Sequence, residues 1–460
     1  MTDYQTTLWQ QRFVAGDGPA HVRLTTAIRT AIRDGQLSDG APLPPSRELA
    51  AELSCSRWVV TQAYEQLVAE GYLEARAGAG TKVRSALASP PARTQEATPS
   101  APVRYDLGPG LPDLSAFPRA GWARAWHEAL AAAPHTDLGY APAGGHPALR
   151  EALADYLGRV RGATVAPDNL VVTTGVREGV SAMARLLADQ HDRIAVEDPG
   201  WARLRTAIAS SGLQPMSLPL DQHGARTDEL DDSVRLAALT PAHQFPTGTV
   251  LSAERRADAL AWAERVDGLL LEDDYDAEFR YDRRPIGTLQ GLAPNRVALF
   301  GSVSKTLAPA VRIGWIAAPP QWSAALTHTV PEVSALDQLA LARFLRSGSY
   351  DRYLRQARRR YRARRDLLVS AIARRLPQCQ VSGVAAGLHL LMELPEQSSA
   401  AAVTAAAADA GLRVMDLAAC RLVPAHDRPT LVLGYGNLPD RMVDSAVIAL
   451  ATAIRTAAPG

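Results

Sequence analysis

Near the start of the chain, Leu24, Ile28 and Ile32 recur at every fourth position of HVRLTTAIRTAIRDG, which puts them on one face of a predicted helix. The run stops at Gly35 and is followed by the turn-rich LSDGAPLPP. In SRELAAELSCS, Ser46 is positioned to cap a short helix that turns Leu49 and Leu53 inward. A tight turn at Ser54 to Ser56 then leads into RWVVTQAYEQLVAEGYLE, whose Val60, Ala63, Tyr64 and Leu67 supply an inner face. The pattern predicts a helix-turn-helix with a longer second helix. YLEARAGAGTKVR, with Gly78 and Gly80 at its tip, predicts a hairpin whose backbone turns sharply enough to approach a phosphate.

The pattern changes after residue 103. Apolar runs LVVTTG, RIAVEDPG, RLAALTP, GLLLEDDY and VALFGSVSK alternate with helical stretches, which predicts an α/β domain with a largely parallel sheet. Between the two regimes, residues 85–103 combine Ala, Ser, Thr and four prolines with almost no large apolar side chains. That is a linker composition. The expected organisation is a module over 15–84, a linker over 85–103 and a large domain over 104–455.

Composition bounds the function class. The 460 residues are 47% hydrophobic and 21% charged with a formal charge of +1, which describes a globular chain rather than a disordered or polyelectrolyte one. Residues 20–84 carry eight basic and seven acidic side chains, so the usual basic footprint of a nucleic-acid binder is missing there. Cys55, Cys379 and Cys420 lie in no metal-ligand spacing and are expected as buried small hydrophobes in a reducing compartment. No stretch reads as a signal peptide or membrane span, so a cytoplasmic location is expected, with no membrane partner.

Against 49 Lys plus Arg residues, only Lys82 and Lys305 are lysines. A lysine kept in so arginine-rich a chain can do what a guanidinium cannot, such as lose a proton and form an imine. Lys305 follows an apolar strand in FGSVSKTLAPAVRIGW, with Ser302, Ser304 and Arg312 nearby as anion donors. GLLLEDDYDAEFRY ends a strand in acids, Asp273 among them, with Tyr275 beside it. An acidic strand end alone suits a metal site or a solvated turn equally well. VVTTGVREG predicts a strand, a glycine turn and a helix whose first amides, around Gly175, Val176 and Arg177, can hold an anion. Trp201 in EDPGW can stack on a flat ring, although plain packing is the commoner use of such a residue. PAHQFPTG reads as a loop at a cofactor edge, with His243 structural if taken alone. A lysine, an acid, phosphate donors and a flat group together are what pyridoxal 5′-phosphate (PLP) needs.

LPPSRELAAELSCSRWVVTQAYEQLVAEGYLEARAGAGTKV resembles the GntR-type winged helix along its whole length. The resemblance implies DNA contacts by Ser46, Arg47, Ser56, Arg57, Tyr64, Arg76, Gly78, Gly80 and Thr81, with Arg47 and Arg57 leading. Trp58 and Val59 stand where that family usually has a small polar residue and a threonine. EDPGW, TPAHQFPTG, EDDYDAEFRY and SVSKTLAPAVRIG, in that order, resemble fold-type I aminotransferases and specifically the MocR/GabR branch, where such a domain follows a GntR-type winged helix.

By that resemblance Lys305 forms the imine with PLP, Asp273 pairs with the ring nitrogen and Tyr275 meets the ring hydroxyl. Ser302, Ser304, Arg312, Val176 and Arg177 bind phosphate, Trp201 stacks, and His243 lies at the cofactor edge. Tyr140 in LGYAPAGGHPALREAL matches a tyrosine that reaches the neighbouring subunit's cofactor, and Arg428 is the available match to a substrate-carboxylate arginine. Val176, Arg177 and Trp201 each differ from the branch's common residue. The implied fold is a winged helix, a linker, then a large mostly parallel sheet domain with a smaller C-terminal α+β subdomain. The implied function is a homodimeric transcription regulator whose aminotransferase-like domain senses PLP or a PLP–amine adduct and whose winged helices bind a DNA operator. Two alternatives stay open: a working aminotransferase with an attached DNA-binding domain, and a regulator that uses the domain only to dimerise. The arginine-dense SYDRYLRQARRRYRARRDLL reads as a solvated amphipathic helix.

Overall fold

The computed structural model describes residues 13, 18–76, 80–84, 102–281, 286–383, 386–425 and 428–458, and it divides into two compact units, 1–100 and 101–460. In the first, helices α1 (Ala20–Arg33), α2 (Ser46–Glu52) and α3 (Arg57–Ala69) enclose Leu24, Ile28, Ile32, Leu49, Leu53, Val60, Ala63 and Leu67. Strands β1 (Pro42–Leu43), β2 (Leu73–Arg76) and β3 (Gly80–Val83) form an antiparallel sheet in the order β1-β3-β2. Gly80 takes a φ of +77°, the backbone state glycine adopts without a steric penalty. Gly78 lies outside the described residues.

Two expectations need correcting here. Ser46 is not the cap of α2 but its first residue, because the extended Pro45 before it occupies the N-cap position with no side-chain hydrogen bond. A proline's fixed φ already directs the chain into the helix, and the Ser46 hydroxyl instead accepts from Arg57 Nε at 3.2 Å. Tyr64 is only 7% exposed, and its hydroxyl donates to the Pro44 carbonyl at 2.9 Å, so it braces the turn before α2 from inside.

The second unit is built on an eight-stranded sheet of β5 (Leu170–Thr173), β6 (Arg193–Asp198), β7 (Gln214–Asp221), β8 (Gly224–Ala225), β9 (Leu236–Leu239), β10 (Leu269–Asp273), β11 (Val297–Ser302) and β12 (Gly314–Ala317). Its order is β5-β12-β11-β10-β9-β6-β7-β8. Strands β7, β6, β9, β10 and β11 run parallel, whereas β12 is antiparallel to both its neighbours. β5, β9, β10 and β11 are buried at every position, as a sheet covered on both faces requires. A smaller antiparallel sheet of β13 (Gln380–Ser382), β14 (His389–Glu393), β17 (Thr430–Gly434) and β16 (Met415–Asp416) follows, while β4 (Tyr105–Asp106) pairs with β15 (Leu412–Arg413). Among the described residues, no helix is long and apolar enough to cross a membrane.

The arginine-rich segment forms a 27-residue helix, Ser349–Arg375, with Tyr353, Leu354, Ala357, Tyr361 and Leu368 inward and Arg352, Arg355, Arg359 and Arg362 exposed. One arginine elsewhere is wholly interior. Arg161, 1% exposed at the end of the helix Pro147–Arg161, grips both carboxylate oxygens of Asp274 at 2.6 and 2.9 Å and the Ile286 carbonyl at 2.6 Å. Asp274 directly follows β10, so this clamp fixes the loop that carries Tyr275. Arg161→Ala strands a buried carboxylate and is expected to cost about 3–5 kcal/mol. A denaturant titration showing a loss below about 1 kcal/mol would contradict that role for the clamp.

Candidate functional site

The parallel strands β6, β9, β10 and β11 end along one edge of the sheet, the place where open α/β sheets leave room for ligands. A cavity of about 650 Å³ opens there, large enough for a cofactor-sized molecule. Its wall includes Val176, Arg177, Trp201, Asp273, Tyr275, Ser302, Ser304, Lys305 and Arg312. Residues from four separate stretches of sequence thus converge.

Lys305 comes off the loop after β11, and its ammonium donates to the Gly110 carbonyl at 2.5 Å. Burial pushes its pKa down, while Asp276 and Asp273 oppose the shift. Gly110 sits at φ +97° and a Cβ there would come 3.1 Å from Lys305 Nζ, so the GPG turn is shaped to the lysine. Asp273, the last residue of β10, is 7% exposed and its Oδ1 has no hydrogen-bond partner. Burial pushes this carboxyl up to about 8, helped by Asp274 and opposed by Lys305. A buried acceptor with no donor, on a residue of the cavity wall, fits a cationic N–H such as a protonated pyridine nitrogen.

The raised value sets a pH dependence. A folded pKa near 8 means the folded, cofactor-free chain keeps a proton that the unfolded chain loses near pH ~4, so this group's contribution to stability falls as pH rises between the two. Asp273→Asn removes the titration. The variant's melting temperature, without cofactor, is expected to gain several degrees on the native chain between roughly pH 5 and pH 8. A pH-independent difference would contradict the assignment.

Other parts of the wall suit an anion. The helix Val176–Ala188 starts at the cavity, where its first-turn amides lack helical partners and Gly175 caps it at φ +146°. Ser304 N donates to Ser302 Oγ at 3.3 Å, and Arg312 follows a short turn, Pro309–Val311. Arg312 holds φ +55°, an uncommon conformation for a non-glycine residue that costs on the order of 1 kcal/mol and aims the guanidinium from a fixed point. Trp201 is half-buried at the start of the helix Ala202–Ser210.

Two expected site residues, His243 and Arg428, lie outside the cavity wall, and Tyr140, expected at a neighbouring subunit's cofactor, is outside it too. His243 does not line this cavity; it sits behind it, 4% exposed, with Nδ1 3.0 Å from the Asp276 carboxylate and 3.1 Å from the Tyr275 hydroxyl. It meets the cavity wall through Asp276 and Tyr275, both of which line it. Arg428 precedes β17 on the surface, 3.6 Å from Glu393, and is not in the cavity wall. Tyr140 is 94% exposed and lines no part of the cavity of its own chain. Conversely, the sequence reading missed Gly110 and Arg203. Arg203 lies in the wall with no ion pair or side-chain hydrogen bond among the described residues. Only a spacing argument could have raised it, as the second residue after Trp201.

In the first unit, Arg47, Ser56 and Arg57 are exposed at the starts of α2 and α3, and Ser46 is joined to Arg57. Arg76 and Gly80 are exposed and Thr81 half-exposed on the hairpin, with Arg76 Nε 2.7 Å from Glu74. Tyr64 reaches this face only through Pro44.

Comparison with known proteins follows the same division. A family model for aminotransferase class I and II matches residues 110–446, and one for bacterial regulatory proteins of the gntR family matches residues 21–83. The HTH-type pyridoxine biosynthesis transcriptional regulator PdxR of Corynebacterium glutamicum is 37% identical over 384 residues, covering 81% of this chain and 83% of that protein. The probable rhizopine catabolism regulatory protein MocR of Rhizobium meliloti is 36% identical over 387 residues, covering 78% of each chain. Among solved structures, an archaeal alanine:glyoxylate aminotransferase superposes with a TM-score of 0.71 at 26% identity, covering 76% of this chain and 91% of the enzyme.

Proposed function

Because this chain is a transcription regulator of the MocR type, a GntR-family winged helix joined to an aminotransferase class I and II domain, we propose that it is a cytoplasmic homodimer that senses PLP and adjusts its grip on a DNA operator accordingly. The observation that carries the sensing half is the pairing, in one cavity, of a buried lysine with a buried, unpartnered carboxylate oxygen. When bound, PLP supplies an aldehyde carbon for an amine and a ring that withdraws electrons. The residues do the rest. Lys305 presents an amine kept easy to deprotonate, and Asp273 accepts from the ring nitrogen. Tyr275, held by His243, meets the ring hydroxyl. Ser302, Ser304, Arg312 and the amides at Val176 and Arg177 take the phosphate, Trp201 lies against the ring, and Arg203 adds a further cation.

The relative PdxR is named for pyridoxine biosynthesis, which supports PLP itself as the signal in a feedback loop. Arg428 lies on the surface beside Glu393, so any carboxylate entering the cavity meets the arginines of its own wall, Arg203 among them, rather than Arg428. Tyr140, nearly free of its own chain, is the residue offered to a partner subunit's cavity. Arg47, Ser56, Arg57, Arg76 and Thr81 provide the DNA contacts, with Ser46 and Tyr64 holding Arg57 and the α2 turn in place and Gly78 and Gly80 shaping the wing. For the cofactor to act as a signal it must bind the DNA-competent arrangement with a different affinity from the alternative. Fluorescence anisotropy with operator duplex, at fixed salt with and without PLP, is expected to show at least a five-fold change in affinity. Identical affinities would sink the sensor reading.

A further inference from the structure

Trp58, in the first turn of α3, is 60% exposed. Its one aromatic neighbour among the described residues is His21, edge-on at 5.4 Å between ring centroids. It is not part of the core of this unit. Val59, Val60, Ala63 and Leu67 of the same helix supply the core contacts, so the indole is left in water where burial would stabilise the chain. Next to it stand the exposed Arg57, tied to Ser46, and across the turn the exposed Arg47.

A protein partner fits this surface poorly. Among the described residues of the first unit, the other exposed large apolar side chains are Val22 and Val68. Val68 lies about 15 Å further along the α3 axis. A stable protein interface needs a contiguous patch of some ~800 Å² on each side, with an apolar centre. One flat aromatic on a helix start that also carries the exposed Arg57, where backbone amides attract anions, fits a surface that offers phosphates with a small apolar target between them. The major groove of duplex DNA presents that combination, because thymine carries a 5-methyl group between two phosphate ridges.

We infer that Trp58 is a base-reading residue of this regulator, packing its indole on a thymine methyl in each operator half-site. The inference rests on the DNA-binding reading above and adds an apolar readout that the cations Arg47 and Arg57 do not give.

The test uses the full chain, native and Trp58→Asn, with selection from a random duplex library followed by affinity measurement on the enriched duplex. Native protein is expected to enrich thymine at one fixed step of each half-site, and Trp58→Asn to lose that preference while keeping the others. Replacing that thymine by uracil removes only the methyl. This should weaken native binding about four-fold per half-site, the size of burying one methyl group, and leave Trp58→Asn unaffected. Trp58→Phe, which keeps an apolar ring, should retain part of the preference. An unchanged sequence preference in Trp58→Asn overturns the inference, as does a uniform weakening on every sequence, which would make the indole a backbone contact. Failure of native protein to enrich any sequence would instead overturn the DNA-binding reading itself.

Discussion

Lys305→Ala abolishes the visible absorption band that PLP is expected to acquire on binding, and with it any effect of PLP on DNA affinity. The composition makes the result easy to read. Lys82 is the only other lysine, and it is exposed on a strand of the DNA-binding unit, so no second buried amine can stand in. Borohydride reduction of the native protein should fix one pyridoxyl group per chain on the peptide containing Lys305, and none in the variant. DNA affinity without PLP should stay within about two-fold of native, because Lys305 and its partner Gly110 both belong to the second unit. Trapping at Lys82 instead, or a PLP response that survives in Lys305→Ala, would remove the lysine from the mechanism.

Arg57→Ala is expected to weaken operator binding by about ten- to a hundred-fold, the range for losing a charged contact to phosphate or base edge in both half-sites. The salt dependence separates the two kinds of contact. If Arg57 neutralises one phosphate per protomer, the log–log slope of affinity on salt should fall by about 2 for the dimer. A loss without a slope change would mark it as a base reader. Arg57 is exposed, and its only side-chain bond among the described residues is to Ser46 Oγ, so the fold should survive with an unchanged melting temperature. Binding within two-fold of native would exclude α3 from the interface.

Much of this was legible in the chain because strong local signals coincide with tertiary roles. Leu24, Ile28 and Ile32 mark α1 since a helix that buries one face must repeat its apolar residues at that spacing. The strands β5, β6, β9, β10 and β11 show as apolar runs because both their faces are covered, and their ends then name Asp273 and Ser302. β12 was hidden. Its four residues GWIA carry no alternation and begin with a glycine, whose absent Cβ lets the strand lie against Gly175.

The errors share a cause. Ser46 reads as a cap in any sequence, and only the Pro45 backbone displaces it by one position. His243 and Tyr275 are 32 residues apart, and nothing local says that one stands behind the other. Arg428 has the right residue type near the right strand, but it precedes β17 and its side chain pairs outward with Glu393. Gly110 is 195 residues from the lysine it contacts, a distance across which pattern carries no information.

If PLP is the signal, its binding in the cavity and operator binding by the first unit are linked equilibria. PLP affinity can be read by spectroscopic titration of the native protein, alone and saturated with operator duplex, and set against operator affinity with and without PLP. Linkage requires the two ratios to be equal, and the account predicts a common value of at least about five. A ratio of one in both directions would leave the cavity a bound cofactor with no bearing on DNA, and would contradict the account.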